Sequence, residues 1–291
     1  MTTVLNNVIE VDVGAGFDRE GKELTCACEF GSEIIVVIPY VNYLFERGVD
    51  VSVRGCKGMS CFYYFLPRGK YREEYVRRSF HSPKVPLRGI HWKKLNKSQW
   101  KMPDYKTYYK DHELPFERDD KPLVMIHNKY NEEWGCSPIN HLSLDTLDTL
   151  FTILKDKYTI VYNRPRPKNI VNDHNFHWSR RGDDLGDYEL IENKHDHVID
   201  LQRVCDFPED PGDYNKFQMI VGAHSDKHIS VQGGNSILAS LFGGVNVVYA
   251  VRGHEIEYNS FRGWYHEFSG CETLDYDNYD DLISCVVEKF L

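Results

Sequence analysis

Short apolar runs alternate with longer stretches of helical spacing along the first half of the chain. LTCACE (24–29) and VDVSVRG (49–55) are typical of strands, and CFYYFL (61–66) predicts a further, aromatic-rich strand. Between the first two strands, apolar side chains recur at the spacing of a helix at Ile34, Ile38, Val41 and Phe45. Pro39 lies inside this helical pattern and predicts either a kink or the true start of the helix.

The second half repeats the alternation with longer elements. PLVMIHN (122–128) and TIVYNRP (159–165) each contain a run of apolar residues, typical of buried parallel strands. VIDLQRV, HISVQ and VNVVY predict three more strands, and helical patterns separate the strands in LSLDTLDTLFTILKDK, DYELIENKH and DYNKFQMIVGAHSD. Alternation of strands and helices in both halves predicts an α/β protein with two Rossmann-like domains, each with a mainly parallel sheet, facing across a cleft. We place the domains at residues 1–115 and 116–291.

Composition adds limits to this picture. The 291 residues are 41% hydrophobic and 27% charged, as in ordinary globular proteins. No apolar run reaches the roughly 18 residues of a membrane helix, and the N-terminus lacks a signal-peptide pattern, so we expect a soluble, cytoplasmic protein without a membrane partner. The eight cysteines form no paired CxxC motifs, so we expect reduced, buried thiols and no structural zinc.

Charge is distributed unevenly. The chain carries a net charge of −9, but residues 67–110 contain thirteen Lys or Arg and three acids, a local balance of 13 − 3 = +10. A local basic segment on an acidic protein indicates either one anionic ligand or a solvated loop region. A nucleic-acid partner is not expected, because its binding domain would be basic throughout.

The segment ISVQGGNSILASLFGGVNVVY raises the question of ligand binding most directly. Its strand passes into a helix through Gln232, Gly233, Gly234, Asn235 and Ser236. Such a glycine turn is either a plain connection or a phosphate cradle, in which backbone N–H groups and the helix N-terminus approach an anion. The spacing is neither the GxGxxG of dinucleotide folds nor a P-loop.

Polar residues also follow the neighbouring predicted strands. Ligands of open α/β sheets lie beyond the carboxyl ends of the strands, where these residues converge. We therefore predict that a diphosphate contacts the glycine turn and Arg164, with Lys129 as a further candidate. We also predict that the base and ribose contact Asn163 and the strand end at Asp200 and Leu201. His127 and Asn128 complete the predicted nucleotide-sugar site. A structural histidine is an equal alternative for His127, and a surface ion pair is the alternative for Arg164.

The runs IHNKYNEEW, IVYNRP, ISVQGGNSILASLFGG and VNVVYAVRGHE resemble glycosyltransferases of large algal viruses of the chlorovirus type. The first half is similar more loosely, through FGSEIIVVIPYVNYLFERG and FYYFLP, and the basic middle is not covered. The resemblance implies a GT-B fold with a nucleotide-sugar donor in the C-terminal domain and a glycan acceptor in the N-terminal domain. It further implies a UDP-sugar, with xylose as the leading donor, a capsid glycoprotein acceptor in the host cytoplasm, and no metal or other cofactor.

An inverting transfer needs a general base to take the proton of the acceptor hydroxyl. The GT-B pattern places that base on an N-terminal loop, and our first candidate is Glu33 at the start of the first long helix. Asp18 and Glu74 follow, together with Glu29 and Glu73. The alternative role of Glu33 is a helix-capping carboxylate. The sequence also leaves open a retaining transfer, which needs no such base.

Metal binding is not expected at the acidic and histidine motifs. Asp275 and Asp277 form a DxD, but this motif does not follow an apolar strand, so we expect it to face solvent just before a C-terminal helix that Asp280 or Asp281 caps. His174 and His177 lack a helix with a third ligand. Two other functions remain open: an epimerase or phosphorylase on the same fold, and a non-catalytic module that binds glycans or nucleic acid through the basic segment.

Overall fold

The computed structural model describes residues 23–78, 97–133, 137–165, 172–173, 185–204 and 211–291. Within them the chain is an α/β protein with two parallel sheets, as the alternating pattern predicts. The N-terminal sheet has the strand order β1-β2-β3, formed by β1 (Glu23–Thr25), β2 (Ser52–Cys56) and β3 (Tyr71–Tyr75). A two-stranded parallel ribbon joins β4 (Arg77–Arg78) to β7 (Asn172–Asp173).

The first long helix contains a π-helical segment. It begins as α1 (Phe30–Ser32), continues as a π-helix over Glu33–Val37 and ends as α2 (Ile38–Glu46). Pro39 stands at the start of α2, which agrees with the expectation that it marks a helix start. Proline has no N–H to donate to the Ile35 carbonyl one turn earlier. Trp100 fills this position, because its indole Nε1 donates to the Ile35 oxygen at 2.7 Å.

The run CFYYFL does not form a strand, contrary to the sequence-based prediction. Ser60–Tyr63 is a 3₁₀ turn in which the consecutive residues Phe62 and Tyr63 are both buried. Aromatic composition suggested a strand, but a strand would send these neighbours to opposite faces. The third strand is instead β3, within the basic segment, and helix α3 (Tyr105–Lys110) follows later; a further 3₁₀ turn covers Lys97–Gln99.

The C-terminal sheet has six strands in the order β11-β10-β9-β5-β6-β8, and every neighbouring pair is parallel. The strands are β5 (Leu123–His127), β6 (Thr159–Asn163), β8 (Ile199–Asp200), β9 (Ser225–Val231), β10 (Val245–Tyr249) and β11 (Glu272–Tyr276). All residues of β5 and β6 are buried, which confirms their prediction as interior strands. VIDLQRV differs from its prediction as one strand: after the two residues of β8 it turns into helix α6 (Leu201–Val204).

Helices cover both faces of this sheet. They are α4 (Leu144–Leu154), α5 (Asp187–Lys194), α7 (Pro211–Ala223), α8 (Gly234–Ala239), α9 (His254–Glu257), α10 (Ser260–Gly263) and α11 (Tyr279–Phe290), with a 3₁₀ turn at Tyr265–Phe268. Ser143 caps α4 through a bond from the Thr146 N–H, as its position predicts. Among the described helices, none is both long enough and apolar enough to cross a membrane.

One hydrophobic core joins the two halves. Leu24, Ile34 and Phe62 of the N-terminal half belong to the same buried cluster as Met219 and Phe242 of the C-terminal half. Helices α1 and α8 meet within this junction. The glycine turn that precedes α8 therefore lies where the two halves contact each other. The proposed boundary near residue 115 stays a prediction.

Candidate functional site

The glycine turn connects β9 to α8 at the junction of the halves. Gly233 has φ +105° and ψ −150°, a conformation that only glycine adopts readily. A Cβ on Gly234 would stand 3.0 Å from Phe30 Cδ1, so the backbone here lies against the N-terminal half. Helix α8 has only six residues, so its dipole alone is not a basis for an anion site.

Lys129 stands directly beside this turn. Its Nζ donates to the Gln232 carbonyl at 2.6 Å and lies 2.5 Å from the Glu133 carboxylate. A Cβ added to Gly233 would be 3.2 Å from the same nitrogen. The Lys129 side chain is 14% exposed, so the ammonium is held in place at the end of β5 and next to the end of β9. A fixed, partly accessible cation next to a glycine turn can contact a phosphate group.

Four polar side chains hold the turn and the loops around it together. The Asn140 amide nitrogen lies 2.9 Å from Gln232 Oε1 and 3.0 Å from Glu133 Oε2, and its oxygen accepts the Val251 N–H. Gln232 Nε2 donates to Glu255 Oε2 at 2.7 Å. We call Lys129, Glu133, Asn140, Gln232 and Glu255 the turn cluster.

Glu133, Asn140 and Glu255 were not identified from the sequence. Glu133 lies four residues after Lys129, a spacing that could have indicated the ion pair. Glu255 follows β10 in the run VRGHE, and Gly253 before it has φ +155°. A Cβ on Gly253 would stand 2.5 Å from Gln232 Nε2, so this glycine allows the contact between the two loops. Asn140 lies in a loop with no pattern that marks it.

The N-terminal half contributes Glu29 to the same region. Glu29 caps α1, accepting the N–H groups of Gly31 at 3.0 Å and Ser32 at 2.8 Å, and it is half-buried. Burial raises the pKa of Glu255, and the charge of Glu29 adds to that rise. Burial also raises the pKa of Tyr265, with contributions from Glu255 and then Glu29. A Cβ on Gly31 would stand 2.8 Å from Ile237 Cδ1 of α8 and 3.2 Å from Glu29 Oε2, so the oriented Glu29 carboxylate lies close to α8.

Glu33, the first candidate base, lies in a different environment. Its carboxylate is fully buried, accepting from Arg78 Nη1 at 2.6 Å and from the Tyr63 hydroxyl at 3.0 Å. Arg78 also donates to the Cys28 carbonyl at 2.9 Å. A carboxylate enclosed by a guanidinium and a phenol does not meet an acceptor hydroxyl in this conformation. A catalytic role for Glu33 stays a prediction that this geometry does not favour, and we replace it with Glu29 below.

The other two candidate bases differ from Glu33. Glu74 lies on β3 at the edge of the N-terminal sheet, half-exposed and 3.7 Å from Arg54 Nη1. Asp18 lies outside the described residues. Glu73, a further candidate, accepts the N–H groups of Gly58 and Ser60 and orders the loop after β2.

The end of β6 has its own set of polar contacts. Arg164 forms two bonds of 2.6 Å with Asp187, whose side chain is fully buried, and its guanidinium lies over the Tyr188 ring. The Tyr162 hydroxyl donates to the same carboxylate at 2.5 Å. We call Tyr162, Arg164 and Asp187 the β6-end cluster. Because Asp187 already engages the guanidinium in a forked pair, Arg164 is not presented to a diphosphate in this conformation.

The other residues predicted to contact the ligand at the strand ends are buried in the protein interior. Asn163 accepts the Tyr214 hydroxyl at 3.0 Å and is fully buried. Asp200 Oδ1 accepts the Gln202 N–H, and the side chain of Leu201 is buried. His127 is fully buried, and burial lowers its pKa to about 3, with a further contribution from His228. These placements favour the structural alternative considered for His127.

Asn128, Asn235 and Ser236 shape the turn through their own contacts. The Asn128 side chain bonds both backbone groups of Leu142, and its carbonyl accepts from the Asn235 amide at 3.0 Å. Ser236 Oγ donates to the Gly233 carbonyl at 2.8 Å. Both side chains that were predicted as ligand donors, Asn235 and Ser236, are thus used within the protein.

Metal-ligand geometry is absent from the described part of the chain, where no group of three His, Cys, Asp or Glu side chains is arranged to hold an ion. Asp275 lies in β11 and accepts Arg262 Nε at 2.8 Å; the helix cap expected at Asp280 or Asp281 is provided by Asn278. His174 and His177 fall outside the described residues.

The sequence matches no protein-family model and no curated protein. The structure is similar to a solved one, that of the ADP-heptose lps heptosyltransferase II of E. coli, with a TM-score of 0.53. The match covers 92% of this chain and 97% of that chain at 9% sequence identity. At this identity the likeness shows the fold: an α/β architecture of two mostly parallel sheets, similar to that of a GT-B heptosyltransferase.

Proposed function

We propose that the protein is a glycosyltransferase that takes a sugar from a nucleoside-diphosphate donor. The observation that carries this proposal is the convergence of Lys129 and the Gly233–Gly234 turn with Glu29 of the other half. An inverting transfer needs a base for the acceptor proton and stabilisation of the leaving diphosphate, and Glu29, Lys129 and the backbone of the turn can supply them. The heptosyltransferase fold supports the same class of reaction.

Each group has a defined task in this reaction. Glu29 takes the proton of the acceptor hydroxyl while that oxygen bonds to the anomeric carbon. The bond from the anomeric carbon to the diphosphate breaks on the opposite face, and the leaving diphosphate keeps the electron pair. Lys129 stabilises the charge that develops on the leaving group, together with the N–H groups of Gly234 and Asn235, the first two of α8. Glu133 neutralises Lys129 before the donor binds.

The finer assignment is supported by the sequence resemblance alone. On that basis we propose a UDP-sugar with xylose as the leading donor, a glycan acceptor on a capsid glycoprotein, and activity in the cytoplasm without a metal. The heptosyltransferase likeness adds ADP-sugars as a donor class to be tested.

Thermal unfolding with nucleotides tests the proposal. The panel contains UDP, ADP, GDP and CMP, each with and without Mg²⁺, on the wild type, Lys129→Ala and Lys289→Ala. A ligand at about 100 times its Kd stabilises the native state by about 2.7 kcal/mol, so the midpoint should rise with one diphosphate. Lys129→Ala should abolish the rise. Lys289→Ala, which removes a surface pair with Glu272, should keep it.

The outcomes separate the candidate functions. A rise that needs no Mg²⁺, followed by sugar transfer to an acceptor, supports the proposal. Conversion of the nucleotide sugar to an isomer without an acceptor would identify an epimerase instead. If no nucleotide changes the midpoint of the wild type, the glycine turn is a structural connection and the proposal is wrong.

A further inference from the structure

A cavity of about 410 Å³ lies apart from the turn cluster, between the Ser60–Tyr63 turn, β3, α3 and α7. Its volume falls within the roughly 300–1,000 Å³ of small-molecule sites. No residue of the turn cluster or of the β6-end cluster lines it. The residues that matter for its chemistry are three tyrosines and three charged side chains: Tyr64, Tyr108, Tyr109, Glu73, Asp213 and Lys216.

The tyrosines form a rigid aromatic wall. Tyr64 and Tyr108 stack with ring centroids 3.9 Å apart and an interplanar angle of 17°. Tyr109 meets Tyr108 edge-on at 4.9 Å, and its hydroxyl donates to the Cys61 carbonyl at 2.6 Å. Tyr109 is buried, whereas Tyr108 remains 41% exposed. The Tyr108 ring is thus fixed by its neighbours and still exposed, so a ligand can pack against it.

The charged side chains retain free hydrogen-bonding capacity. One oxygen of Glu73 accepts the N–H groups of Gly58 and Ser60, at 3.0 and 3.4 Å, which orients the carboxylate, and its other oxygen accepts no bond from the described residues. Asp213 and Lys216 are exposed on the same face of α7 and pair with no described residue. Acceptors and a donor thus surround the same cavity without neutralising one another.

This combination selects among ligand classes. A phosphate would face the two carboxylates, and a cationic ligand would face Lys216. A wholly apolar ligand would remove three charges from water without replacing their hydrogen bonds. A neutral sugar ring satisfies all of them, because its hydroxyls donate to Glu73 and Asp213 and accept from Lys216, while its C–H face packs on the tyrosine ring.

We propose that this cavity binds a pyranose ring of a neutral saccharide. The inference goes beyond the proposed transfer reaction, since binding here requires no nucleotide. If the protein transfers sugars, the cavity holds a sugar unit of the glycan acceptor. Failure of the transfer proposal would leave the saccharide site intact, because Lys129 does not line it.

Saturation-transfer NMR and calorimetry test this with methyl glycosides of xylose, glucose, galactose and mannose, and with short oligosaccharides of each. We expect binding to the wild type and to Lys129→Ala with equal affinity. Tyr108→Ala should weaken it at least tenfold, and Asp213→Asn or Lys216→Met about threefold to tenfold. Tyr43→Ala is the matched control, since this half-buried tyrosine contacts Arg47 outside the cavity and its loss should leave affinity unchanged.

Three results would overturn the proposal. One is that the wild type binds none of the saccharides in the panel at 20 mM, a concentration that reveals sites with a Kd of about 1 mM. Another is binding that Tyr108→Ala, Asp213→Asn and Lys216→Met all leave unchanged. The third is preferential binding of tetramethylammonium or inorganic phosphate, each included as a charged probe, in competition with the sugars.

Discussion

Strands β5 and β6 lie side by side in the C-terminal sheet, and each is followed closely by a cation, Lys129 after β5 and Arg164 after β6. The cations differ in their counter-ions. Arg164 forms a forked pair with Asp187, which is fully buried and also bonded to Tyr162. Lys129 contacts Glu133, which is 15% exposed and lies in a loop, and a backbone carbonyl of the glycine turn.

To bind either cation, an anionic ligand would have to replace the carboxylate that the cation already contacts. Separating Arg164 from Asp187 would leave a buried carboxylate without its cation, which costs several kcal/mol. Lys129 can exchange Glu133 for a phosphate oxygen without leaving a deeply buried charge. Polar residues at strand ends therefore indicate a ligand site only where their counter-ions are not themselves part of the core.

The largest expected effect comes from Glu29, the proposed base at the start of α1. Glu29→Gln keeps one of the two cap bonds, because only its amide oxygen can accept an N–H group, and it cannot take up a proton, so we expect kcat to fall about 10²-fold to 10⁴-fold. The measurement is the turnover of the donor that the nucleotide panel identifies. Glu33→Gln is the matched control, because Glu33 lies on the same helical segment but pairs with buried Arg78.

For Glu33→Gln we expect a loss of about 3–5 kcal/mol in the free energy of unfolding, because the Arg78 charge stays buried without its partner. Turnover per folded molecule should change far less than in Glu29→Gln. A large loss of kcat in folded Glu33→Gln, with Glu29→Gln fully active, would restore Glu33 as the base and contradict our assignment.

Asp187→Ala is expected to produce the next largest effect, on stability. Removing this buried carboxylate leaves the Arg164 guanidinium without its counter-ion, so the free energy of unfolding should fall by about 3–5 kcal/mol in denaturant titrations. The nucleotide affinity of the folded fraction should stay within twofold. Glu272→Gln, which disrupts an exposed pair with Lys289, should change the free energy of unfolding far less, because water screens that pair. A selective loss of nucleotide affinity in Asp187→Ala would place the β6-end cluster in the donor site.

The strands and the turn around the two cations could be predicted from the sequence, but the contacts of the two side chains could not. Period and run length gave the buried strands β5 and β6 and the turn after β9, because these depend on local hydrophobicity and on glycine. The partner of Arg164 lies 23 residues away, and Asn140 contacts Gln232 across 92 residues. No local pattern encodes such pairings, so the sequence assigned Arg164 and Lys129 the same role.

Two acidic residues of the N-terminal half also have different surroundings. Glu29 and Glu33 are both acidic residues near the start of one helix, and the sequence favoured Glu33. The structure separates them because the π-helical segment starts at Glu33 and its side chain turns into the core toward Arg78. The position of Arg78, 45 residues later, decides that burial and is invisible to periodicity.

The buried histidines His127 and His228 should make stability depend on pH. Burial lowers the pKa of His127 to about 3 and that of His228 to about 4. Above pH 6.5 both are neutral in the folded and unfolded states. As pH falls below 6.5 only the unfolded state gains these protons, so stability declines until the folded-state pKa values are reached. At pH 5 the expected loss is about 2 kcal/mol for each histidine.

Denaturant titrations between pH 4.5 and 6.5 measure this slope. His127→Leu should reduce it by about 1.4 kcal/mol per pH unit, the contribution of one proton. His266→Gln alters an exposed histidine and should leave the slope unchanged. An unchanged slope in His127→Leu would mean that His127 is accessible to solvent, as the sequence-based contact with a phosphate had assumed.

The smallest expected effect is at the glycine turn itself. Gly233→Ala should lower the free energy of unfolding by about 1–3 kcal/mol, because its backbone conformation suits only glycine. Gly48→Ala, at φ +77° with open space around its Cβ, should cost a similar 1–2 kcal/mol through backbone strain alone.

The two variants should differ in nucleotide affinity. The new methyl on residue 233 would stand 3.2 Å from Lys129 Nζ, so only that variant should weaken diphosphate binding, by about tenfold or 1.4 kcal/mol. Equal affinities in both variants would show that the turn is a connection between β9 and α8, and that the accessible counter-ion of Lys129 serves no ligand.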